Sequence, residues 1–237
     1  MRRIIYAGDS TVTFNKINSY PQAGLSQGLS YYTAEDVFIY SFAVNGRSTK
    51  SFIDEGRFEK IKKELIAGDI LLIQFGHNDE KIQDPNRYSA PYTDYKNNLK
   101  MMAQTALDKG AFPVIISPVA RRLFDADGVF MPGSHGEYPE ASKEAAKEMN
   151  IPFIDLTAAS EKYLSDIGDT ASRPMYVYPK DNSHFQLQGA VVMAGFIARA
   201  FEKFGGIYSD ILIKNNEDTG KKDVVNMTSD AFKNEGV

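Results

Sequence analysis

The stretch Ile4-Ile5-Tyr6-Ala7-Gly8-Asp9-Ser10-Thr11 joins an apolar run directly to a polar loop. Four consecutive apolar residues predict a short buried strand, and Gly-Asp-Ser after them places one hydroxyl at the carboxyl end of that strand. Open α/β sheets bind their ligands at this edge. Because glycine, aspartate and serine are common turn residues, the stretch by itself is better explained as an ordinary turn between a strand and a helix. The rest of the chain therefore has to decide the matter.

Four further apolar runs follow, at 37–44, 70–75, 114–117 and 153–156, and helical patterns lie between them. The run at 70–75 is almost continuously apolar, which is typical of a parallel strand covered on both faces. We predict helices over 21–30, from a cap at Ser48 or Thr49 to Gly68, from Tyr95 to Gly110, over 139–150 and 157–167, and from Leu187 onward. Strands that alternate with helices predict a doubly wound α/β sheet with right-handed crossovers.

Composition narrows the class of protein. The 237 residues suffice for one large α/β domain, which we place at 1–206, with a polar extension of uncertain structure at 207–237. The net charge of -4 gives no broad basic surface, so nucleic acid is not expected as a partner. The chain has no cysteine and only three histidines, without paired metal-ligand spacing, which excludes disulfides and thiolate chemistry and disfavours a zinc site. No metal or organic cofactor is expected.

The apolar segments are too short to predict a membrane span or the core of a signal peptide. As written, the chain is expected in the cytoplasm, and it would be secreted if a leader had been removed. The oligomeric state does not follow from the sequence.

Three polar residues, one after the first apolar run and two just before the last predicted helix, fit the needs of acyl transfer. Serine needs a general base, usually histidine, and that histidine needs an acceptor that fixes its tautomer. Ser10 is the candidate nucleophile and His184 the candidate base. Asp181 lies three residues before His184, a spacing at which a turn brings the carboxylate to the imidazole.

An oxyanion that forms during acyl transfer also needs hydrogen-bond donors. The amide of Gly46, after the second run, and the side chain of Asn78, after the third, are the candidates. A turn glycine and an asparagine that caps a turn are equally good explanations of each residue taken singly.

Four blocks, Gly8-Asp9-Ser10, Gly46, Gly76-His77-Asn78-Asp79 and Asp181-Asn182-Ser183-His184, occur in the order found in the SGNH (GDSL-type) hydrolases, and the chain resembles that superfamily. The resemblance implies a flavodoxin-like three-layer α/β/α fold with five parallel strands in the order 2-1-3-4-5. It also implies a catalytic triad of Ser10, Asp181 and His184. The implied oxyanion hole consists of the Ser10 amide, the Gly46 amide and the Asn78 side chain.

Within that superfamily, Gly8-Asp9-Ser10-Thr11-Val12, Tyr20-Pro21-Gln22-Ala23-Gly24 and His135-Gly136-Glu137-Tyr138-Pro139 resemble the rhamnogalacturonan acetylesterases. The resemblance implies a serine esterase that removes acetyl groups from galacturonate in pectin through an acetyl-serine intermediate, with an acetylated oligosaccharide as its partner. Leu25 stands where the family leads us to expect tryptophan, and the chain contains no tryptophan. Stacking on a sugar would then fall to tyrosine or phenylalanine.

Residues near this predicted site are candidates for substrate contacts. Arginines just past strand ends could hold a uronate carboxylate, although solvated surface arginines explain them equally well. A histidine after the third strand could brace the Asn78 loop, and one in the long connection 123–138 could order that loop or reach over the substrate. The full set is Asp9, Arg47, His77, Arg121, Arg122 and His135.

Several other functions stay open. A thioesterase or lysophospholipase of the same superfamily would need an apolar channel, whereas 121–137 is rich in polar residues. An acetylxylan esterase would use the same chemistry on a different sugar. Asp9 and Asp79 at strand ends also fit a phosphoacceptor module, but no lysine follows the fourth strand closely. A non-catalytic sugar-binding relative would not be expected to keep serine, histidine and aspartate together.

Overall fold

The computed structural model describes residues 2–214. Its central sheet contains β1 (Arg2–Gly8), β2 (Val37–Ser41), β3 (Ile70–Gln74), β4 (Phe112–Ile116) and β5 (Phe153–Ile154). The strands are parallel and lie in the order β2-β1-β3-β4-β5, which confirms the predicted fold class and topology. Gly8, the last residue of β1, pairs with Gln74, the last residue of β3. The residues that follow these two strands therefore emerge side by side at the carboxyl edge.

Helices cover both faces of this sheet. They are α1 (Leu25–Leu29), α2 (Thr49–Asp54), α3 (Arg57–Glu64), α4 (Lys96–Asp108), α5 (Tyr138–Met149), α6 (Leu156–Ser172), α7 (Leu187–Phe204) and α8 (Ile207–Asp210). A π-helical turn, Pro91–Tyr95, precedes α4, and single 3₁₀ turns occupy Ile17–Ser19 and Arg173–Met175.

Alternation along the strands divides the apolar residues between two cores. Ile4 and Tyr6 of β1 face the core formed with α1, α6 and α7, whereas Ile5 and Ala7 face the core formed with α2 to α5. All five residues of β3 are buried, as expected for a central strand with helices on both sides. Burial on both faces fixes the register of the strands and hence the positions of the loops at their carboxyl ends.

Two helix predictions were wrong in their bounds. The helix predicted over 21–30 begins only at Leu25, because the Ala23 amide donates to the Phe185 carbonyl at 2.8 Å and holds the preceding segment in an extended bridge. Gly24 ends that segment under close packing, since a Cβ there would stand 2.2 Å from the Thr13 carbonyl oxygen. The helix predicted to run to Gly68 is two helices, α2 and α3, separated by Gly56 with a φ of +67°.

The C-terminal part of the described chain packs on the sheet domain. Helix α8 is followed by Leu212, which forms a bridge to Thr33. Most of the extension predicted at 207–237 lies outside the described residues. Within residues 2–214, no helix is both long enough and apolar enough to cross a membrane.

Candidate active site

Ser10 lies in a tight turn directly after β1, at the carboxyl edge of the sheet. The amides of Val12 and Thr13 both donate to the Asp9 carbonyl at 3.1 Å, and the Asp9 carboxylate accepts from the amide and the hydroxyl of Thr11. Burial raises the pKa of Asp9, and the bonds from Thr11 oppose that rise. The turn needs glycine before it, because a Cβ on Gly8 would stand 2.8 Å from the Gln74 carbonyl oxygen. The backbone therefore holds the Ser10 hydroxyl at a fixed position, with 8% of the residue exposed.

His184 and Asp181 complete a hydrogen-bonded chain that starts at this hydroxyl. His184 Nε2 lies 2.7 Å from Ser10 Oγ, and His184 Nδ1 lies 2.5 Å from Asp181 Oδ2. The other carboxylate oxygen of Asp181 accepts from the amides of Ser183 and His184 at 2.6 and 3.0 Å. With Nδ1 donating to Asp181, Nε2 is free to accept the Ser10 proton. Burial alone would raise the pKa of Asp181, but these hydrogen bonds bring it below its usual value.

The loops after β2 and β3 bring Gly46 and Asn78 toward the same edge. Gly46 has a φ of +77° in the turn closed by the Arg47 amide, which donates to the Val44 carbonyl at 3.3 Å. The side-chain amide of Asn78 donates to the Arg47 carbonyl at 3.1 Å, so the two loops are bonded to each other. An amide group carries two N–H donors, which leaves the second one of Asn78 available. Within residues 2–214, the main-chain amides of Ser10 and Gly46 donate to no acceptor.

Behind Asn78, a buried group of polar side chains braces the loop. His77 and His135 both donate from Nε2 to the Val119 carbonyl, at 3.0 and 2.8 Å, and their rings meet edge to face with centroids 4.4 Å apart. His135 Nδ1 lies 3.0 Å from a carboxylate oxygen of Glu80, and Glu80 also pairs with Arg121. Burial, and then the positive charges nearby, hold the pKa of His77 well below its usual value. These side chains are engaged with one another, and their predicted contacts with substrate stay predictions.

Arg122 occupies a second polar cluster, beside the loop of Asp181 and His184. Its guanidinium group is buried, pairs with Asp169 and donates to the Ser172 hydroxyl at 2.9 Å. Its main-chain amide donates to the Asn182 carbonyl at 2.8 Å, and the Tyr178 ring stacks on its guanidinium group with the centroid 4.7 Å from Cζ. Arg122 thus connects the end of α6 to the loop that holds His184.

The other predicted substrate contacts also have partners inside the protein. Arg47 pairs with Glu55 at 3.0 Å and keeps about a third of its side chain exposed, whereas Asp9 is buried against Thr11. Sequence reasoning overlooked Glu80 and the Arg122 cluster, because nothing in the pattern around residues 80 and 169 marks them. Within residues 2–214, no group of three or more histidine, aspartate or glutamate side chains is placed to hold a metal ion.

Comparison with known proteins relates this geometry to a family. Residues 6–190 match the model of the GDSL-like lipase/acylhydrolase family. The chain is 37% identical to the rhamnogalacturonan acetylesterase RhgT of Bacillus subtilis (strain 168) over 223 residues, covering 89% of this chain and 94% of RhgT. It is 35% identical to the probable rhamnogalacturonan acetylesterase YesY of the same organism, covering 89% and 97% of the two chains.

Solved structures give the same fold. The B. subtilis protein YxiM superposes with a TM-score of 0.76 at 26% identity, over 86% of this chain and 57% of that longer one. The acetylxylan esterase Axe2 of Geobacillus stearothermophilus superposes with a TM-score of 0.59 at 13% identity, over 85% and 93%. At such low identity, the likeness to Axe2 concerns the fold alone.

Proposed function

The chain belongs to the GDSL-like lipase/acylhydrolase family, and on this premise we propose that it is a serine esterase that removes O-acetyl groups from acetylated rhamnogalacturonan. The observation that carries the proposal is the hydrogen-bonded chain from Ser10 through His184 to Asp181, at 2.7 and 2.5 Å. Similarity to RhgT and YesY over most of the chain favours the acetylated pectic sugar over other esters.

In the proposed mechanism, Ser10 Oγ attacks the acetyl carbonyl while its proton moves to His184 Nε2. Asp181 stabilises the imidazolium ion that forms. The carbonyl oxygen becomes an oxyanion and accepts hydrogen bonds from the amides of Ser10 and Gly46 and from the free N–H of Asn78. When the intermediate collapses, the bond from the acetyl carbon to the sugar oxygen breaks, and the sugar oxygen takes the proton from His184.

A water molecule then hydrolyses the acetyl-serine. His184 accepts a proton from the water as it attacks the acetyl carbon, and the same oxyanion donors stabilise the second intermediate. Collapse releases acetate and returns the proton to Ser10 Oγ. Each proton that His184 accepts in one half of the cycle is given back within that half, so the enzyme is regenerated without a net change.

Release of acetate from three substrates tests this function: acetylated rhamnogalacturonan, acetylated xylan and a long-chain acyl ester. We expect preferential release from the pectic substrate, and we expect Ser10→Ala to lower kcat by a factor of roughly 10⁴ or more. Ser165→Ala, which removes an exposed hydroxyl from α6, is the matched control and should keep wild-type activity. Activity confined to the long-chain ester would reject the carbohydrate substrate, and activity that survives Ser10→Ala would reject the nucleophile.

A further inference from the structure

A groove of about 470 Å³ lies between the segment that precedes α1 and the first residues of α7. The bridge between Ala23 and Phe185 connects these two sides, and Phe185 directly follows His184. On the other side, the Gln22 side chain donates to the Ser10 carbonyl at 3.4 Å. Through Gln22 and Ala23, the groove therefore neighbours the turn of Ser10 and the loop of His184. Its volume falls in the range of roughly 300–1,000 Å³ that is typical of small-ligand sites.

Large apolar side chains of this groove are left open to solvent. Tyr20 is 81% exposed and Ile17 is 83% exposed, and Leu187 at the start of α7 is 41% exposed. Single exposed apolar residues are ordinary on a protein surface, but these three line one concave site. An exposed tyrosine offers the face of its ring to an apolar surface and its hydroxyl to a polar group.

Carboxamide groups lie among these apolar side chains. Gln22, Gln186 and Gln188 line the groove, and each carboxamide both donates and accepts. The Gln186 side-chain amide donates to the Tyr176 carbonyl at 2.8 Å, which fixes its orientation and leaves its oxygen as an acceptor. Lys16, at the rim, is the sole charged lining residue within the part of the chain that the structure describes. An acyl chain would offer these carboxamides no further hydrogen-bond partner, whereas a sugar presents both an apolar C–H face and hydroxyl groups.

A second groove, of about 330 Å³, includes Asn182 of the loop that holds His184 but is built differently. Its arginines, Arg122 and Arg173, both pair with Asp169, and both guanidinium groups pack on the Tyr178 ring, at 4.7 and 5.2 Å from the centroid. The charges and the aromatic ring there already have partners within the protein. The Tyr20 side chain, by contrast, is largely exposed to solvent and so is open to stacking by a sugar ring.

We propose that the groove beside Tyr20 binds the neutral deoxyhexose unit next to the acetylated uronate, with that ring stacked on Tyr20. The proposal rests on the proposed function, because the uronate acetyl group must lie at Ser10 for the neighbouring sugar to reach the groove. The backbone of rhamnogalacturonan alternates uronate with a neutral 6-deoxyhexose. A groove whose lining, among the described residues, includes Lys16 at the rim as its one cation suits the neutral unit. The 6-methyl group of that sugar fits the exposed side chains of Ile17 and Leu187.

The test compares Tyr20→Ala with Tyr20→Phe on an acetylated rhamnogalacturonan oligosaccharide and on an aryl acetate that fills only the acetyl position. We expect Tyr20→Ala to raise KM for the oligosaccharide about tenfold, the effect of losing one good aromatic contact. Its kinetics on the aryl acetate should not change, and Tyr20→Phe should stay near wild type on both. Tyr92→Ala, in the turn before α4, removes another exposed tyrosine and should alter neither substrate.

Two results would overturn the subsite: an unchanged KM for the oligosaccharide in Tyr20→Ala, or an equal loss on both substrates, which indicates a disturbed active site. Failure of the proposed function gives a different result from failure of the subsite alone. In that case the wild type would release acetate from the aryl ester and none from the oligosaccharide. That result would overturn the subsite together with the function on which it rests.

Discussion

Replacing Asp79 with asparagine tests the electrostatics beneath the active-site loops. The Asp79 carboxyl group is completely buried behind the loop of Asn78. One oxygen accepts from the amide and the hydroxyl of Thr49, at 2.9 and 2.5 Å, and the other oxygen has no hydrogen-bond partner within residues 2–214. Burial raises the pKa of Asp79 to about 7. The nearby charge of Asp9 also raises this pKa, whereas the hydrogen bonds from Thr49 lower it. Asparagine keeps the shape and the acceptor but cannot ionise.

The sign of the effect follows from the two pKa values. Between its usual value of 3.8 and about 7, Asp79 holds a proton in the folded protein that it has lost in the unfolded chain. Stability therefore falls as pH rises through this window, and the full penalty is present above pH 7. At about 1.36 kcal/mol for each pKa unit, the total cost of ionising Asp79 is about 4 kcal/mol. Of this, about 2.7 kcal/mol falls between about pH 5 and pH 8.5.

Urea denaturation followed by far-UV circular dichroism at a series of pH values measures this difference. We expect the stability of Asp79→Asn relative to wild type to increase by about 2.7 kcal/mol from about pH 5 to about pH 8.5. The other titrating groups are common to both proteins and, apart from Asp9, whose charge is coupled to Asp79, they cancel in the comparison. Asp54→Asn, which removes an exposed carboxylate at the end of α2, should run parallel to wild type. Parallel curves for Asp79→Asn as well would refute the buried, protonated carboxyl group.

Two further predictions concern the oxyanion donors and the helix packing. Asn78→Ala should lower kcat on an aryl acetate by roughly 10²- to 10³-fold with little change in KM, because it removes a hydrogen-bond donor needed only in the transition state. An unchanged kcat would exclude Asn78 from the oxyanion hole. Gly28→Ala should lower Tm through a loss of about 1–3 kcal/mol or more, because its Cβ would stand 2.0 Å from the Ala190 carbonyl oxygen and force α1 away from α7. Gly128→Ala is the control variant. A Cβ at Gly128 would meet no atom within 4 Å, so the only cost to stability is the backbone strain at a φ of +77°, roughly 1–2 kcal/mol. If the Gly28 variant unfolds at the higher temperature of the two, the close contact between the helices is wrong.

Local pattern was sufficient for the sheet. The continuous apolar run that became β3 and the shorter run that became β1 could be predicted because burial on both faces demands uninterrupted apolar residues. Since parallel strands align their carboxyl ends, the same pattern predicted that Ser10 and Asn78 would lie at one edge. The helix bounds were less predictable: α1 begins late because Ala23 bonds to Phe185, more than 150 positions away.

The sequence by itself determined the fold class, the strand order through its family resemblance, and the candidate residues Ser10, Asp181 and His184. Only the tertiary structure decided which polar groups are engaged inside the protein and which side chains are open to solvent. His135 and Arg122 are buried in bonded clusters, while Tyr20 is largely exposed to solvent. The physical reason is that strand and helix patterns depend on neighbours within a few residues. The partners of a polar side chain come from loops far apart in sequence, and how those loops pack decides whether the side chain is satisfied or free.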